Sequence, residues 1–334
     1  DIGATWKAAA IDSPLTRAIW GMVSGESGIA YFDELEPTGH ASAILSASGN
    51  ADQITYDIDI TPSILSTSFN NRRAFAVFNH EEGRNAIHFD NTGIQFQQLR
   101  GKLGNGTFSL DGAIGMGGMI DGEFDLTWNG PSGDSSLFAV LPTVVGDTLE
   151  AIDLQDGTSE LPDGKVYFSG ENWDDIGVSF TGNISLSDVS ITVGIPMKNI
   201  MGTTYVDGEY DKDQLAELEF VLNVDEMTAL GRNVTDIGGH LRLDSEYQRI
   251  VFEEMRGEST TGSVTVDGWL AIDETKLYEI ELLIAGVDLK TDAGEDALAS
   301  LDGELTGWIS MAGVRGESSS RRGLGLIRVQ NGQF

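Results

Sequence analysis

The stretch that decides the fold is IQFQQLRGKLGNGTFSLDGAI, residues 94–114, which returns as IVFEEMRGESTTGSVTVDGWL at residues 250–270. The two copies align without a gap at a constant offset of 156 residues (250 − 94). They share the pattern I-x-F-x-x-[LM]-R-G-x-x-x-x-G-x-[FV]-x-[LV]-D-G-x-[IL]. Agreement over this length indicates one architecture that is built by repeating a unit.

Each copy reads as a β-hairpin. Apolar and polar residues alternate on either side of the central glycine, which is the period of a strand with one apolar face. The Arg-Gly pairs at 100–101 and 256–257 are predicted to turn or kink the first strand. The Asp-Gly pairs at 111–112 and 267–268 are predicted to close the second strand as turn residues.

The same alternation covers most of the chain. It recurs at residues 54–60, 176–180, 189–195 and 278–284, with Gly, Asn-Gly or Asp-Gly between the runs. Strands of this kind, without long helical segments between them, favour an antiparallel arrangement over βαβ units. The prediction is a mainly β fold, an elongated antiparallel meander that forms a curved β-groove from repeated strand units, with a few short helices.

Three segments interrupt the strand pattern with helical spacing. Ser13-Pro14 is an N-cap followed by a first-turn proline, which predicts a helix over 14–23. Two more helices are predicted at 134–149 and 292–300. A helix followed by strands then defines the units: 1–133, 134–290, and the start of a third at 291–334, all in one continuous structure.

The amino-acid composition excludes several classes of binding partner and site. The 334 residues include 53 acidic and 20 basic side chains, a net charge of −33, and no cysteine. Such a surface repels phosphate backbones, so a nucleic-acid partner is not expected. Disulfides and thiolate metal sites are excluded. No apolar stretch reaches membrane-spanning length. Because the chain begins at Asp1 rather than Met, we expect it to be a segment of a longer protein.

Catalytic motifs are missing from the sequence. The four histidines, His40, His80, His88 and His240, are dispersed and lack any His-x-x-x-His spacing. Paired acids are expected by chance in so acidic a chain, and a glycosidase would need two of them across a cleft. The prediction is therefore a protein that is not an enzyme, with no cofactor and no metal site.

The apolar strand faces must bury themselves against something. Two sheets of a sandwich that cover one another are one possibility, and a long groove that binds acyl chains is the other. Alternation fits both equally. The predicted groove side chains are Ile94, Phe96, Phe108, Leu110, Ile176, Val178, Phe180, Ile250, Phe252, Val264, Val266, Ile280, Leu282 and Ile284.

The C-terminal stretch LDGELTGWISMAGVRGESSSRRGLGLIRVQNGQF, residues 301–334, adds a family resemblance. Its pattern, L-x-G-x-L-x-G, a strand ending in Gly, a polar spacer and G-x-G-x-[IL]-x-[VI]-x-x-G, resembles the C-terminal signature of the AsmA-like (TamB-like) family. The matching positions are Leu301, Gly303, Leu305, Gly307, Gly313, Gly323, Gly325, Ile327, Val329 and Gly332. The hairpin at 256–268, its lead-in at 234–241 and the Pro37-Thr38-Gly39 strand entry are also similar to long members of that family.

The resemblance implies a repeating β-groove protein of the periplasm or cell envelope. It implies anchoring to a membrane through a segment absent from this chain, and a non-catalytic role in phospholipid transport between membranes or in outer-membrane assembly. The expected partners are a phospholipid or another acyl-chain lipid, together with envelope or outer-membrane proteins. The alternative is a structural β-repeat module of a cell-surface scaffold or adhesin. A polysaccharide-degrading enzyme built on a β-solenoid is third.

Overall fold

The computed structural model of the chain describes most of the sequence. The described residues are 2–14, 16–18, 21, 29–30, 32–33, 35–50, 53–69, 72–79, 86–115, 119–141, 145–146, 149–150, 152–171, 175–193, 195–211, 214–229, 232–259, 261–288 and 303–332.

Strands dominate, as the alternation predicts. In chain order they are β1 (Ile2–Ala10), β2 (Thr38–Asn50), β3 (Gln53–Phe69), β4 (Arg72–Phe78), β5 (Ala86–Asp90), β6 (Gly93–Leu103), β7 (Gly106–Gly115), β8 (Ile120–Pro131), β9 (Thr158–Gly170), β10 (Ile176–Val193), β11 (Ile195–Asp211), β12 (Gln214–Ala229), β13 (Arg232–Asp244), β14 (Arg249–Glu258), β15 (Ser263–Ala271), β16 (Leu277–Asp288), β17 (Glu304–Val314) and β18 (Glu317–Gln330).

All eighteen strands belong to one sheet, and every pairing with a defined register is antiparallel. Neighbours in sequence pair with one another from β1 to β4, from β5 to β8 and from β12 to β18. The predicted mainly β class and antiparallel meander are confirmed.

One position in the sheet is shared by two short strands. β4 pairs with the C-terminal part of β3, and β5 pairs with residues 57–60 of the same strand. On the other side β4 and β5 both pair with β6, again at different stretches. The single strand position between β3 and β6, called the lane below, is therefore occupied by β5 along one part of its length and by β4 along the other.

The two hairpins have the same register, position for position. In the first, Phe96 pairs with Gly112 and Gly101 with Phe108. In the second, Phe252 pairs with Gly268 and Gly257 with Val264. Arg100 and Arg256 likewise face corresponding partners, Ser109 and Thr265. The duplication seen in the sequence is thus a duplication of structure.

The kink in the first strand of each hairpin is a β-bulge, and it lies before the Arg-Gly pair. The register shifts between Phe96 and Leu99, and in the second copy between Phe252 and Met255. Gln98 and Glu254 carry the positive φ angles, 48° and 54°. The backbone N–H of Gln98 donates to Oδ2 of Asp111 at 2.9 Å, so the cross-strand carboxylate satisfies a group that the bulge removes from the ladder. The prediction that Arg-Gly makes the kink is wrong.

Gly112 and Gly268 do not close their strands, contrary to the prediction. β7 continues to Gly115 and β15 to Ala271. Their φ angles are 154° and 155°, and an added Cβ would lie 2.2 Å from the carbonyl oxygen of Glu123 or 2.3 Å from that of Glu279. These glycines are required because the neighbouring strand approaches too closely for a side chain.

The helices are short. Around the first predicted helix, Pro14, residues 16–18 and Gly21 are helical, and Ser13 Oγ accepts from the Thr16 N–H at 3.2 Å as an N-cap. Helix α1 (Ser135–Val140) is capped by Asp134, which accepts from the Ser136 N–H at 2.8 Å.

Helix α1 ends far before residue 149, because the residue preceding Pro142 is extended. Residues 145–146 and 149–150 are helical again. The remainder of the helix predicted at 14–23 and the whole of the one predicted at 292–300 lie outside the described residues.

Contacts divide the chain into two compact units. The first comprises Asp1–Thr143, Leu161–Gly182 and Glu209–Gln214, and the second comprises Val144–Glu160, Asn183–Gly208 and Leu215–Phe334. The predicted division into helix-plus-strand repeats stays a prediction. Within the described part of the chain, no helix combines the length and the apolar character that a membrane span requires.

Replacing Gly112 or Gly268 by Ala is expected to lower the free energy of unfolding by about 1–3 kcal/mol each, because both force a side chain into a backbone conformation reserved for glycine. Urea denaturation followed by far-UV circular dichroism measures the change. Gly177→Ala is the control, since its Cβ would meet only ordinary contacts at 3.6 and 3.8 Å. Equal effects of Gly268→Ala and Gly177→Ala would contradict the assignment.

Candidate functional site: the apolar faces of the sheet

In the first unit, one face of the sheet is apolar across successive strands. Residues that pair directly across an antiparallel ladder point to the same side, so the register defines this face. It carries Ala43 and Leu45 of β2, Ile58 and Ile60 of β3, Ile87 and Phe89 of β5, Ile94, Phe96, Leu99 and Leu103 of β6, Phe108, Leu110 and Ile114 of β7, and Phe124, Leu126 and Trp128 of β8.

Aromatic contacts join these strands. The ring of Phe124 meets Phe96 edge to face at 5.1 Å and Phe168 at 5.4 Å between centroids. A second pair, Phe78 and Phe108, meets at 5.7 Å. Such geometry places the positive edge of one ring against the negative face of another. The predicted residues Ile94, Phe96, Phe108 and Leu110 therefore lie together on one packed surface.

The predicted residues of β10 extend the same cluster. Ile176 packs, with Phe96 and Leu110, against a core of Ile114, Ile120 and Phe124. Val178 and Phe180 follow Ile176 at two-residue spacing within β10 and are half-buried like it. Because residues two apart in a strand point to the same face, Val178 and Phe180 lie on the same face as Ile176.

The second unit has an apolar face of the same kind, and it contains the other seven predicted residues. Four rows of directly paired residues cross the strands between β13 and β17. The first two rows are Leu243, Ile250, Leu270 and Tyr278, and Leu241, Phe252, Gly268, Ile280 and Met311. The other two are Met255, Val266, Leu282 and Ile309, and Gly257, Val264, Ile284 and Gly307. The structure thus brings each predicted set together within its own unit. One surface shared by both sets stays a prediction.

Burial distinguishes the candidates. Ile250, Ile280 and Leu282 are buried at 2%, 4% and 9% exposure. The other eleven are half-buried, and none is fully exposed. Half-burial is what side chains experience when they stand beside one another on a sheet face, whereas opposed sheets of a tight sandwich bury theirs further.

The opposite face of each unit, called its polar face below, carries ion pairs, and in the first unit it also carries exposed apolar side chains such as Ile44 and Val77. Lys165 Nζ lies 3.1 Å from Glu123 Oε1 and also contacts Asp125, and its hydrogen bonds to these two carboxylates raise the pKa of the lysine. In the second unit Arg242 Nη2 lies 2.6 Å from Glu253 Oε1, and that hydrogen bond lowers the pKa of Glu253. Because these pairs are exposed to solvent, each contributes little to stability.

One row on the second unit's polar face is apolar instead. Leu283 pairs with Trp308, and Trp308 pairs with Leu326. Their exposures are 55%, 43% and 65%. Alternation does not predict this row, because Leu282 and Leu283 are both apolar and the pattern does not tell which of them faces outward.

A group with metal-ligand chemistry lies on the first unit's polar face. Asp57, Asp59 and His88 each bring one ligand atom within 4.8 Å of the others. In the sequence His88 is one of four dispersed histidines and shows no ligand spacing to another. The available signal was the pair of spacings Asp-x-Asp and His-x-Asp, which becomes meaningful only once β3 and β5 are known to be neighbours.

Comparison with known proteins adds no relative: no protein-family model, no curated protein and no solved structure matches this chain.

Phe124→Ala is expected to reduce the free energy of unfolding by about 3–5 kcal/mol, because the buried ring is 5% exposed and two edge-to-face contacts are lost. Phe75→Ala is the matched control, since that ring is 47% exposed. Chemical denaturation of both variants measures the difference. A loss at Phe75 as large as that at Phe124 would refute the packing described for this face.

Proposed function

We propose that the chain is a non-catalytic segment of an AsmA-like envelope protein. In this proposal its apolar sheet faces bind the acyl chains of phospholipids for transport between membranes or for outer-membrane assembly. The observation that carries the proposal is a continuous apolar face in each unit whose side chains are mostly half-buried. Such a face leaves apolar area for a ligand to cover.

The energy scale suits this ligand. Burial of one methylene group is worth about 0.8 kcal/mol, so a long acyl chain lying along the face gains on the order of 10 kcal/mol before entropic losses. No charged group is needed within the face, and the headgroup remains in water. Movement along the face makes and breaks no covalent bond.

The strands that carry the family-like signature support the proposal through their glycines. On β17 and β18 three aliphatic side chains are paired with glycine: Ile309 with Gly325, Met311 with Gly323 and Ile327 with Gly307. At each pair the glycine adds no side chain to the face. The aliphatic partner therefore has no cross-strand side chain over it and keeps apolar surface that a hydrocarbon can cover.

Lipid content of the purified chain tests the proposal. We expect phospholipid to co-purify with the unaltered protein and Val266→Asp to remove most of it, because a carboxylate in the apolar face must stay hydrated. Thr265→Asp is the matched control, one residue away on the opposite face of the same strand. Lipid is quantified per protein by thin-layer chromatography and native mass spectrometry, and folding is checked by far-UV circular dichroism.

Two outcomes would reject acyl-chain binding. One is an unaltered protein that carries no lipid and takes up no fluorescent fatty acid. The other is equal lipid loss in Val266→Asp and Thr265→Asp while both keep the native spectrum.

A structural module of an envelope or cell-surface scaffold is the second candidate that we propose. The exposed row Leu283, Trp308 and Leu326 favours it, because contiguous exposed apolar side chains commonly mark contacts with other proteins. If this candidate is correct, Trp308→Asp will abolish self-association in analytical ultracentrifugation, and Val266→Asp will leave it unchanged.

A further inference from the structure

Four ionisable side chains form a compact rectangle on the polar face of the first unit. In the ladder between β3 and β5, Asp57 pairs directly with Asp90, and Asp59 pairs directly with His88. All four point away from the apolar row that contains Ile58 and Phe89. Because the backbone ladder fixes these positions, the side chains converge without help from a flexible loop.

The distances single out one nitrogen of the imidazole. Nδ1 of His88 lies 2.9 Å from Oδ1 of Asp59 and 3.9 Å from Oδ1 of Asp57. Two ligand atoms of one tetrahedral zinc ion, each at about 2.0–2.1 Å from the metal, are about 3.3 Å apart. The two observed separations bracket this value, and all three ligand atoms lie within 4.8 Å of one another, which is compatible with a shared cation.

The other nitrogen of His88 is directed toward a fixed carboxylate. Nε2 lies 3.7 Å from Oδ2 of Asp90. The remaining oxygen of Asp90, Oδ1, accepts from the Thr92 N–H at 2.7 Å, from the Thr92 hydroxyl at 2.6 Å and from the Gly93 N–H at 3.0 Å. The turn after β5 therefore holds Asp90 in place, and Asp90 is positioned to orient the ring. A carboxylate behind a ligating histidine is the usual arrangement in metal sites.

Electrostatics also favours a cation. Carboxylates placed directly opposite one another destabilise a sheet, and Asp57 and Asp90 occupy such positions. In the described part of the chain, His88 is the one basic side chain that forms an ion pair with Asp57, Asp59 or Asp90. An open depression of about 820 Å³ adjoins the group, with Asp57 and Asp90 in its wall, and gives a path from solvent.

We propose that Asp57, Asp59 and Nδ1 of His88 bind one divalent transition-metal ion of the zinc class, with Asp90 as a positioning residue. The nitrogen donor selects against calcium and magnesium, which prefer all-oxygen sites. The ion links β3 to β5, two strands that are not consecutive in the chain. Binding to the folded state alone then stabilises this part of the sheet.

Zinc titration of the full chain, after dialysis against EDTA and removal of the chelator, tests the site. By isothermal titration calorimetry we expect one saturable equivalent of Zn²⁺, which also raises the thermal midpoint. His88→Gln and Asp57→Asn are expected to abolish both effects. Asp90→Asn is expected to keep the stoichiometry and to weaken the affinity about 10–100-fold.

His240→Gln is the matched control. That histidine also lies on a polar strand face, with Nδ1 2.9 Å from Glu219 Oε1, but it pairs with a single carboxylate. We expect this variant to bind zinc like the unaltered protein. Each variant's metal-free spectrum by far-UV circular dichroism shows whether it folds.

Three results would overturn the proposal. They are no saturable equivalent in the unaltered protein, retention of that equivalent in a folded His88→Gln variant, and Ca²⁺ binding as tightly as Zn²⁺ in a manner indifferent to His88. The last would show that the acidic surface merely attracts cations.

Discussion

The rest of the structure depends on one constraint: odd-numbered and even-numbered side chains of a regular strand lie on opposite faces of the sheet. Side chains alternate between the two faces, so a single extra residue sends everything beyond it to the wrong side. In β6 the apolar residues change from even to odd numbers between Phe96 and Leu99. The bulge at Gln98 absorbs this change and keeps Leu99 and Leu103 on the apolar face. The second copy does the same at Glu254. Continuous apolar faces therefore need an irregularity in the backbone.

The sequence predicts the strands and the hairpin duplication well, because both follow from spacing along the chain. It predicts the bulge poorly. Arg100-Gly101 looked like the kink because glycine marks irregular backbone, but Gly101 is paired in the ladder. What requires glycine there is a neighbour: an added Cβ would lie 2.3 Å from the Val77 carbonyl oxygen. Close approach of a strand distant in sequence leaves no local pattern to read.

The apolar faces and the group around His88 also differ in how far the sequence predicts them. Residues such as Val264, Val266, Ile280 and Leu282 were identified by alternation, and pairing brings them together on one face. The rectangle around His88 could not be identified, because its two halves lie 29 residues apart in the chain and meet only through a pairing that skips β4. Pairing partners are set by competition among many similar strands, which periodicity alone does not resolve.

The lane shared by β4 and β5 has a consequence for how this sheet can evolve. Each strand is held by its own hydrogen bonds to both β3 and β6, so neither depends on the other for its register. The connection between them can gain or lose residues without shifting side chains on either flank. Length variation inside a strand would invert a face, whereas variation between β4 and β5 leaves both flanks in register, which makes this connection a natural place for new sequence to enter the fold.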